Sequence, residues 1–376
     1  MKLIWFSEIR WDYMTTRKQQ ILPRLPKEWK ILFVEPYTFG KSMHWLPAKR
    51  DNITVVGIPF LKNYSKPKLM AFANRKPVQL VIESIGYIWL YFWLIALGFY
   101  TKKRVIGLSS VNWGRIASKM KAEVKFYDCN DNHLAFGINP VWAGSFLRKF
   151  LDCADFAFFV SPELESFIKK LAPVKTIALG NGVEFDHFSK PKPKPSAMEQ
   201  FKKPILGYAG AMDWLDINLL EKIAAHFQGY EIVLLGPEIS PDWWNRQTSV
   251  SSLKNIHYLG KIPYANLPAY VQQFCVALIP FVCNELTRAL NPNKLYEYCA
   301  SGKPVVTMNY SSTIDSLRQI IYVANSADEF IRNIKQALTN EIDENVNHRQ
   351  EFAKQHDWNM IADKMAETIC KHRKQV

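Results

Sequence analysis

Two charged residues three positions apart, Lys294 and Glu297, carry the most specific chemistry in this 376-residue chain. They lie in Asn291-Pro-Asn-Lys-Leu-Tyr-Glu-Tyr-Cys-Ala-Ser-Gly302, a stretch with the signals of a helix that starts and stops sharply. Asn291 is a good N-cap, Pro292 suits the first helical position, and Gly302 closes the helix in a left-handed conformation. Lys294 then sits in the first turn, where an ammonium neutralises a phosphate. Glu297 shares its face and accepts hydrogen bonds from sugar or ribose hydroxyls. An apolar run at 276–281 precedes the helix and Pro304-Val-Val306 follows it, so the unit reads strand, loop, helix, strand. That order brings the helix N-terminus to the carboxyl end of a parallel sheet, where open α/β sheets bind phosphates.

Two other stretches collect reactive groups at strand ends. Tyr127-Asp-Cys-Asn-Asp-Asn-His133 puts two carboxylates and a histidine after an apolar run at 124–128, with Asp128 near enough to the strand to cap the next turn. Ser7-Glu-Ile-Arg-Trp-Asp-Tyr13 follows the first strand; here Trp11, Arg17 and Gln19 either line an acceptor cleft or serve the fold alone. Gly207 and Gly210, in Ile205-Leu-Gly-Tyr-Ala-Gly-Ala211, let a backbone approach a ligand closely.

The elements that must position these groups alternate regularly. Apolar, β-branched runs at 2–6, 31–35, 53–58, 105–108, 124–128, 155–160 and 174–178 read as strands, with helices at 15–25 and 112–120 and another begun by Ser161-Pro162. The pattern restarts at 205 and continues through 231–235 and 256–260, with helices at 215–227 and 264–273. Such alternation gives an α/β chain with parallel sheets. Its length suits two domains. Pro191-Lys-Pro-Lys-Pro195 reads as a stiff linker between them.

The segment Lys294-Leu-Tyr-Glu-Tyr-Cys-Ala-Ser-Gly-Lys-Pro-Val-Val306 resembles the donor site of retaining GT-B glycosyltransferases of group 1, in particular the teichuronic-acid-biosynthesis type with an Asn-Pro pair before the lysine. Asn181-Gly-Val-Glu-Phe-Asp-His-Phe188 resembles the run that closes the first domain in this superfamily. The resemblance implies two Rossmann-like domains facing across a cleft, spanning 1–188 and 204–351 with a linker at 189–203. A terminal helix at about 352–376 crosses back to the first domain. It implies a donor site of Gly210, Ala211, Ile262, Asn291, Lys294 and Glu297, with Lys294 and Arg288 helping the diphosphate leave. Asp131 and His133 become catalytic candidates that orient the acceptor hydroxyl or contact the donor sugar, and Trp11 and Arg17 acceptor-side ones. Two departures stand out. Most of the group carries two glutamates separated by seven residues, and the first falls here on Ala289. The glycine pair usual after the first strand is also missing.

The implied reaction moves a sugar from a nucleotide-diphosphate sugar to a lipid-linked or polysaccharide acceptor, with retention and without a metal or other cofactor. No Asp-x-Asp motif is present. An epimerase of the same fold and an inactive donor-binding partner subunit are the alternatives. Six cysteines without paired spacing suggest neither a zinc site nor a disulfide framework. The opening Met1-Lys-Leu-Ile-Trp-Phe begins a strand rather than a signal peptide, which suggests a cytoplasmic location.

Charge is unevenly spread. Through Lys190 there are 28 Lys and Arg against 15 Asp and Glu; the remainder has 20 against 19. A basic first half implies an anionic partner, such as a membrane surface, a lipid diphosphate or a nucleic acid. Within it, residues 84–100 hold no charge and seven aromatics. Cationic residues flank both ends of the wider apolar run at 78–100, inside which Glu83 lies. The run reads as a helix lying at the membrane surface, as a buried helix or as a span. The aromatics form one apolar block rather than alternating with basic residues, which argues against nucleic acid. The expected partner is an anionic membrane, with the chain peripheral at its inner face.

Overall fold

The computed structural model describes residues 1–36, 46–58, 67–135, 142–240, 242–340 and 342–373. Contacts group the chain into two units, Met1–Gly180 with Ile361–Val376, and Asn181–Met360. The division falls at Gly180, not after Phe188, so the proline-rich run at 191–195 belongs to the second unit. There Lys192 N donates to Gln272 Oε1 at 2.8 Å.

The first unit is built on strands β1 (Lys2–Phe6), β2 (Lys30–Pro36), β3 (Ala48–Arg50), β4 (Ile53–Ile58), β5 (Val105–Leu108), β6 (Val124–Cys129), β7 (Phe156–Phe159) and β8 (Thr176–Ala178). Their order is β3-β4-β2-β1-β5-β6-β7-β8, parallel throughout except for the short edge strand β3, which the sequence does not announce. Leu3 to Phe6 are wholly buried. An uninterrupted apolar run is what a parallel strand covered on both faces requires. Phe126 stacks on Phe156 with centroids 5.6 Å apart and meets Trp5 edge-on at 5.7 Å, fixing β1, β6 and β7 through aromatic contact. β1 pairs with both β2 and β5, so the strand order reverses between β1 and β5. That reversal opens the crevice in which such sheets take ligands.

The first helix, α1 (Arg17–Ile21), is shorter than the expected 15–25 and continues as a single 3-10 turn at Leu22–Arg24. Pro23 lies in that turn and cannot donate to an α-helical ladder. Gln19 accepts from Thr16 N at 3.2 Å and donates to Trp11 O at 3.1 Å, so it caps the helix instead of lining a cleft. Helices α2 (Pro67–Ala73) and α3 (Lys76–Ala96) follow β4, and α3 takes in residues 84–96 of the expected uncharged run but stops four residues short of its end at Tyr100. The terminal helix, Trp358–Arg373, ends within the first unit. There His372 packs on Phe156 with centroids 4.4 Å apart, and Arg373 pairs with Glu123. Residues 374–376 of the expected terminal helix lie outside the described residues.

The second unit carries β9 (Ile205–Ala209), β10 (Glu231–Leu235), β11 (Ile256–Tyr258), β12 (Phe274–Ile279), β13 (Val305–Met308) and β14 (Tyr322–Ala324), all parallel in the order β11-β10-β9-β12-β13-β14. The reversal here lies between β9 and β12. A helix at Asn293–Ala300 joins β12 to β13. It closes as expected, with Gly302 at φ +69°. Its start differs: Pro292 is the N-cap and Asn293 the first helical residue.

Candidate active site

The lysine and glutamate of the Asn293–Ala300 helix are both buried, each 9% exposed. Lys294 Nζ donates to Tyr208 Oη at 2.8 Å and stands 4.3 Å from the Tyr208 ring centre and 4.5 Å from that of Phe281. Tyr208 lies on β9 and Phe281 just after β12, so the ammonium is held at the strand-order reversal by two aromatic faces and a hydroxyl. Cation–π contacts of this kind strengthen as the site loses water. Tyr208 stays protonated, because burial pushes its phenol well above the ordinary range, and it donates to Ala211 O at 2.6 Å. Gly210 explains itself here: a Cβ at that position would run into the Lys294 ammonium.

No carboxylate lies within ion-pair distance of Lys294 among the described residues. Burial pulls its pKa down to about 7, with Glu297 opposing the shift. Burial likewise pushes Glu297 up to about 7, with Lys294 opposing. Nor does any described residue hydrogen-bond the Glu297 carboxylate. Polar groups taken out of water and left without full partners are costly. This pair sits in the first turn and a half of a helix whose leading N–H groups also have no intrahelical acceptor. The arrangement can take an anion on Lys294 and the N–H groups, and a hydroxyl on Glu297.

The other expected donor-side residues divide. Asn291 is buried but supports the loop: its carbonyl accepts from Asn181 Nδ2 at 2.6 Å and its Oδ1 from Tyr296 Oη at 3.0 Å. It is not the N-cap, because its side chain is already engaged with the helix's own tyrosine. Ala211 lies on the turn after β9, and Ile262 is half-buried against the core of the second unit. Arg288, at the end of a four-residue turn before the helix, is exposed. Ala289, where a first glutamate is usual, is buried and brings no polar side chain.

In the first unit the ends of β1, β5 and β6 meet in a polar cluster. Asp131 and His133 belong to it, and so do three residues that the sequence reading passed over. Glu8 pairs with Lys18, accepts from Ser109 Oγ at 2.9 Å, and lies 3.6 Å from His133 Nε2. His133 N donates to Asp131 O at 3.0 Å. Burial pushes the Asp131 carboxyl up, with His133 and the Asn132 N–H pulling it back. One signal was available for Glu8: it is the first carboxylate after β1, at the strand end where substrates are met. Lys18 gave none.

Arg17 does not line an acceptor cleft as expected. It is 2% exposed and pairs with buried Asp128 at 3.1 Å, while Nη2 donates to Leu179 O at 3.0 Å. It ties α1 to the ends of β6 and β8 and offers no surface to an acceptor. Asp128 accordingly holds Arg17 and does not cap a turn. Trp11 is half-buried, with its backbone N–H donating to Glu35 Oε2 at 2.8 Å and its ring edge-on to Phe33 at 4.9 Å.

Comparison with known proteins finds relatives of the sequence and of the fold. Residues 203–340 match the family described as Glycosyl transferases group 1. The putative teichuronic acid biosynthesis glycosyltransferase TuaH of Bacillus subtilis (strain 168) is 26% identical over 194 residues, which cover 50% of this chain and 49% of that protein. The match thus spans about half the length of that curated relative. Among solved structures, sucrose-phosphate synthase of Thermosynechococcus elongatus superposes with a TM-score of 0.73 at 12% identity, covering 100% of both chains. HepE of Anabaena, in complex with UDP-glucose, gives 0.69 at 13% identity, covering 99% of this chain and 100% of that one. The chain therefore has the GT-B fold, and its residues 203–340 are similar in sequence to the group 1 glycosyl transferases.

Proposed function

We propose that the protein is a glycosyltransferase that moves a sugar from a nucleotide-diphosphate sugar to a lipid-linked or polysaccharide acceptor in cell-envelope glycan synthesis. One observation carries the donor half of this reading. Lys294 and Glu297 are buried at the strand-order reversal of the second unit with their polar capacity unfilled by protein. A nucleotide-diphosphate sugar supplies both missing partners, a diphosphate for the ammonium and helix N–H groups and ribose hydroxyls for the carboxylate. As the bond from the sugar carbon to the diphosphate breaks, negative charge grows on the leaving oxygen. Lys294, the helix N-terminus and the exposed Arg288 stabilise that charge.

The acceptor hydroxyl forms the new bond to the same carbon and passes its proton to the departing diphosphate. Asp131 and His133 orient that hydroxyl, and Glu8 and Lys18 hold His133 in place. Among the described residues no side chain stands out as a nucleophile, which suits attack on the face the diphosphate leaves. Retention and independence from metal are carried over from the resemblance. The name of the teichuronic acid relative supports a cell-envelope glycan as product, and the excess of Lys and Arg in the first half of the chain supports work at the inner face of the cell membrane.

The test is incubation with a panel of labelled nucleotide sugars, with and without a membrane-lipid extract. Label entering the lipid or polymer fraction, dependent on Asp131, is the expected result. Free nucleotide released without acceptor would indicate the epimerase chemistry instead. Failure to bind any nucleotide sugar would overturn the donor site.

A further inference from the structure

Helix α3 is built inside out. Its packed stripe is Gln79, Glu83, Gly86, Leu90 and Leu94, so the polar Gln79 and Glu83 face the protein. Glu83 accepts from Arg115 Nη1 at 2.7 Å, and Trp89 Nε1 donates to Gly57 O at 3.2 Å. The outward face is apolar: Val81, Ile85, Ile88, Phe92 and Ile95 recur at helical spacing and are each between 53% and 70% exposed. An exposed apolar stripe of this length is uncommon on a free protein surface and marks an interaction site. Its electrostatic frame is one-sided. Lys68, Arg75 and Lys76 precede the stripe and Lys102 and Lys103 follow it, all exposed. Between Pro67 and Lys103 the one acid is Glu83, which faces inward.

We propose that this face docks the protein on an anionic lipid bilayer, with α3 lying in the membrane plane. The apolar side chains enter the acyl boundary and the flanking cations meet the headgroups. The helix is long enough to cross, with 21 residues rising about 32 Å. Crossing would strip Glu83 from Arg115 and Trp89 from Gly57 and expose both to hydrocarbon, so the inward polar contacts keep the helix on the surface. A second copy of this chain fits the face poorly, because the cations at both ends would confront their own kind. Anionic lipid complements them. This deepens the function proposed above by naming where a lipid-linked acceptor is met, but its observations are independent of the donor site.

The test is co-sedimentation of the full chain with vesicles of phosphatidylcholine, alone or with phosphatidylglycerol, at low and high salt. Binding should require the anionic lipid and weaken with salt. The double variant Ile88→Glu/Phe92→Glu should lose at least tenfold in partitioning. Arg75→Gln/Lys76→Gln should lose about fivefold per cation. All four positions are exposed, so the variants keep the fold, checked by unchanged melting. Nucleotide-sugar affinity measured without lipid should be the same in every form. Lipid binding without nucleotide binding would sink the transferase reading and leave the docking surface standing. Equal partitioning of parent and charged variant, or no binding to any vesicle, would overturn the surface. So would self-association abolished by Ile88→Glu, which assigns the face to a second copy, and resistance to alkaline carbonate extraction, which makes α3 a span.

Discussion

The two units of the molecule each bring charged side chains to a strand-order reversal, and they treat them oppositely. In the first unit the protein completes the set: Lys18 has Glu8, Glu8 has Ser109, and Arg17 has Asp128. In the second unit Lys294 has aromatic rings and one hydroxyl, and Glu297 has no hydrogen-bonding partner among the described residues. A completed ion pair fixes geometry before anything binds. An uncompleted one stores a demand for a ligand. The contrast distinguishes a preorganised cluster from a binding site, although both hold buried charges at equivalent places in similar sheets.

The largest expected effect comes from breaking the completed set. Lys18→Met leaves Glu8 buried without its cation, and losing one member of a buried pair costs about 3–5 kcal/mol. Chemical denaturation should show it, and a stability within experimental error of the parent would mean that the pair is not buried as described. Lys294→Met should act in the opposite sense on stability. It removes an ammonium that burial disfavours, so the unliganded protein should melt later, while nucleotide-sugar affinity falls about ten- to a hundredfold with the loss of one or two charged hydrogen bonds. A variant that melts earlier and binds normally would reverse the comparison.

The same pair predicts a pH signature in the unliganded protein. Lys294 titrates at about 7 when folded against 10.5 when unfolded, so the folded chain binds fewer protons between those values and stability rises with pH there. Glu297 titrates at about 7 when folded against 4.5 when unfolded, so the folded chain binds more protons and stability falls as pH rises from 4.5 to 7. Together they place a minimum near pH 7. Melting curves across this range should show a dip that Glu297→Gln and Lys294→Met each make shallower, and identical profiles in all three proteins would contradict it.

Smaller effects sharpen the comparison from the acceptor side. Asp131→Asn should lower transfer about tenfold, the scale of one lost hydrogen bond from the acceptor to a charged group, while nucleotide affinity stays put. Equal transfer rates would remove Asp131 from the reaction. Arg288→Ala should be the mildest, about threefold in nucleotide affinity, because an exposed cation is screened by water and salt.

How much of this was legible in the sequence follows the distance between interacting residues. Lys294 and Glu297 are three apart on one helix, so their shared face and place at a sheet's carboxyl end follow from periodicity and element order. The inward neighbours of Lys294 are Tyr208 on β9 and Phe281 just past β12, far away in sequence, and the burial that depresses its pKa depends on such packing. Arg17 was misread as acceptor-side for the same reason, since its partner Asp128 lies 111 positions away. Asn291 looked like a cap because Asn and Pro are cap residues locally, but Tyr296 one turn on engages its amide. The uncharged run in α3 was plain in the sequence. Which face turns inward was not, because Arg115, which draws Glu83 in, belongs to a helix beyond the next strand.

The central claim is that Lys294 waits, largely unprotonated above neutrality, for the diphosphate of a donor. Calorimetric titration of a nucleotide-diphosphate sugar at pH 8, repeated in buffers of different ionisation enthalpy, counts the protons taken up on binding. The donor's diphosphate does not titrate in this range, so uptake reports on the protein. The parent should take up close to one proton, Lys294→Met should take up none, and affinity in the parent should fall as pH rises above 7. Tight binding with no proton uptake in either protein would contradict the account.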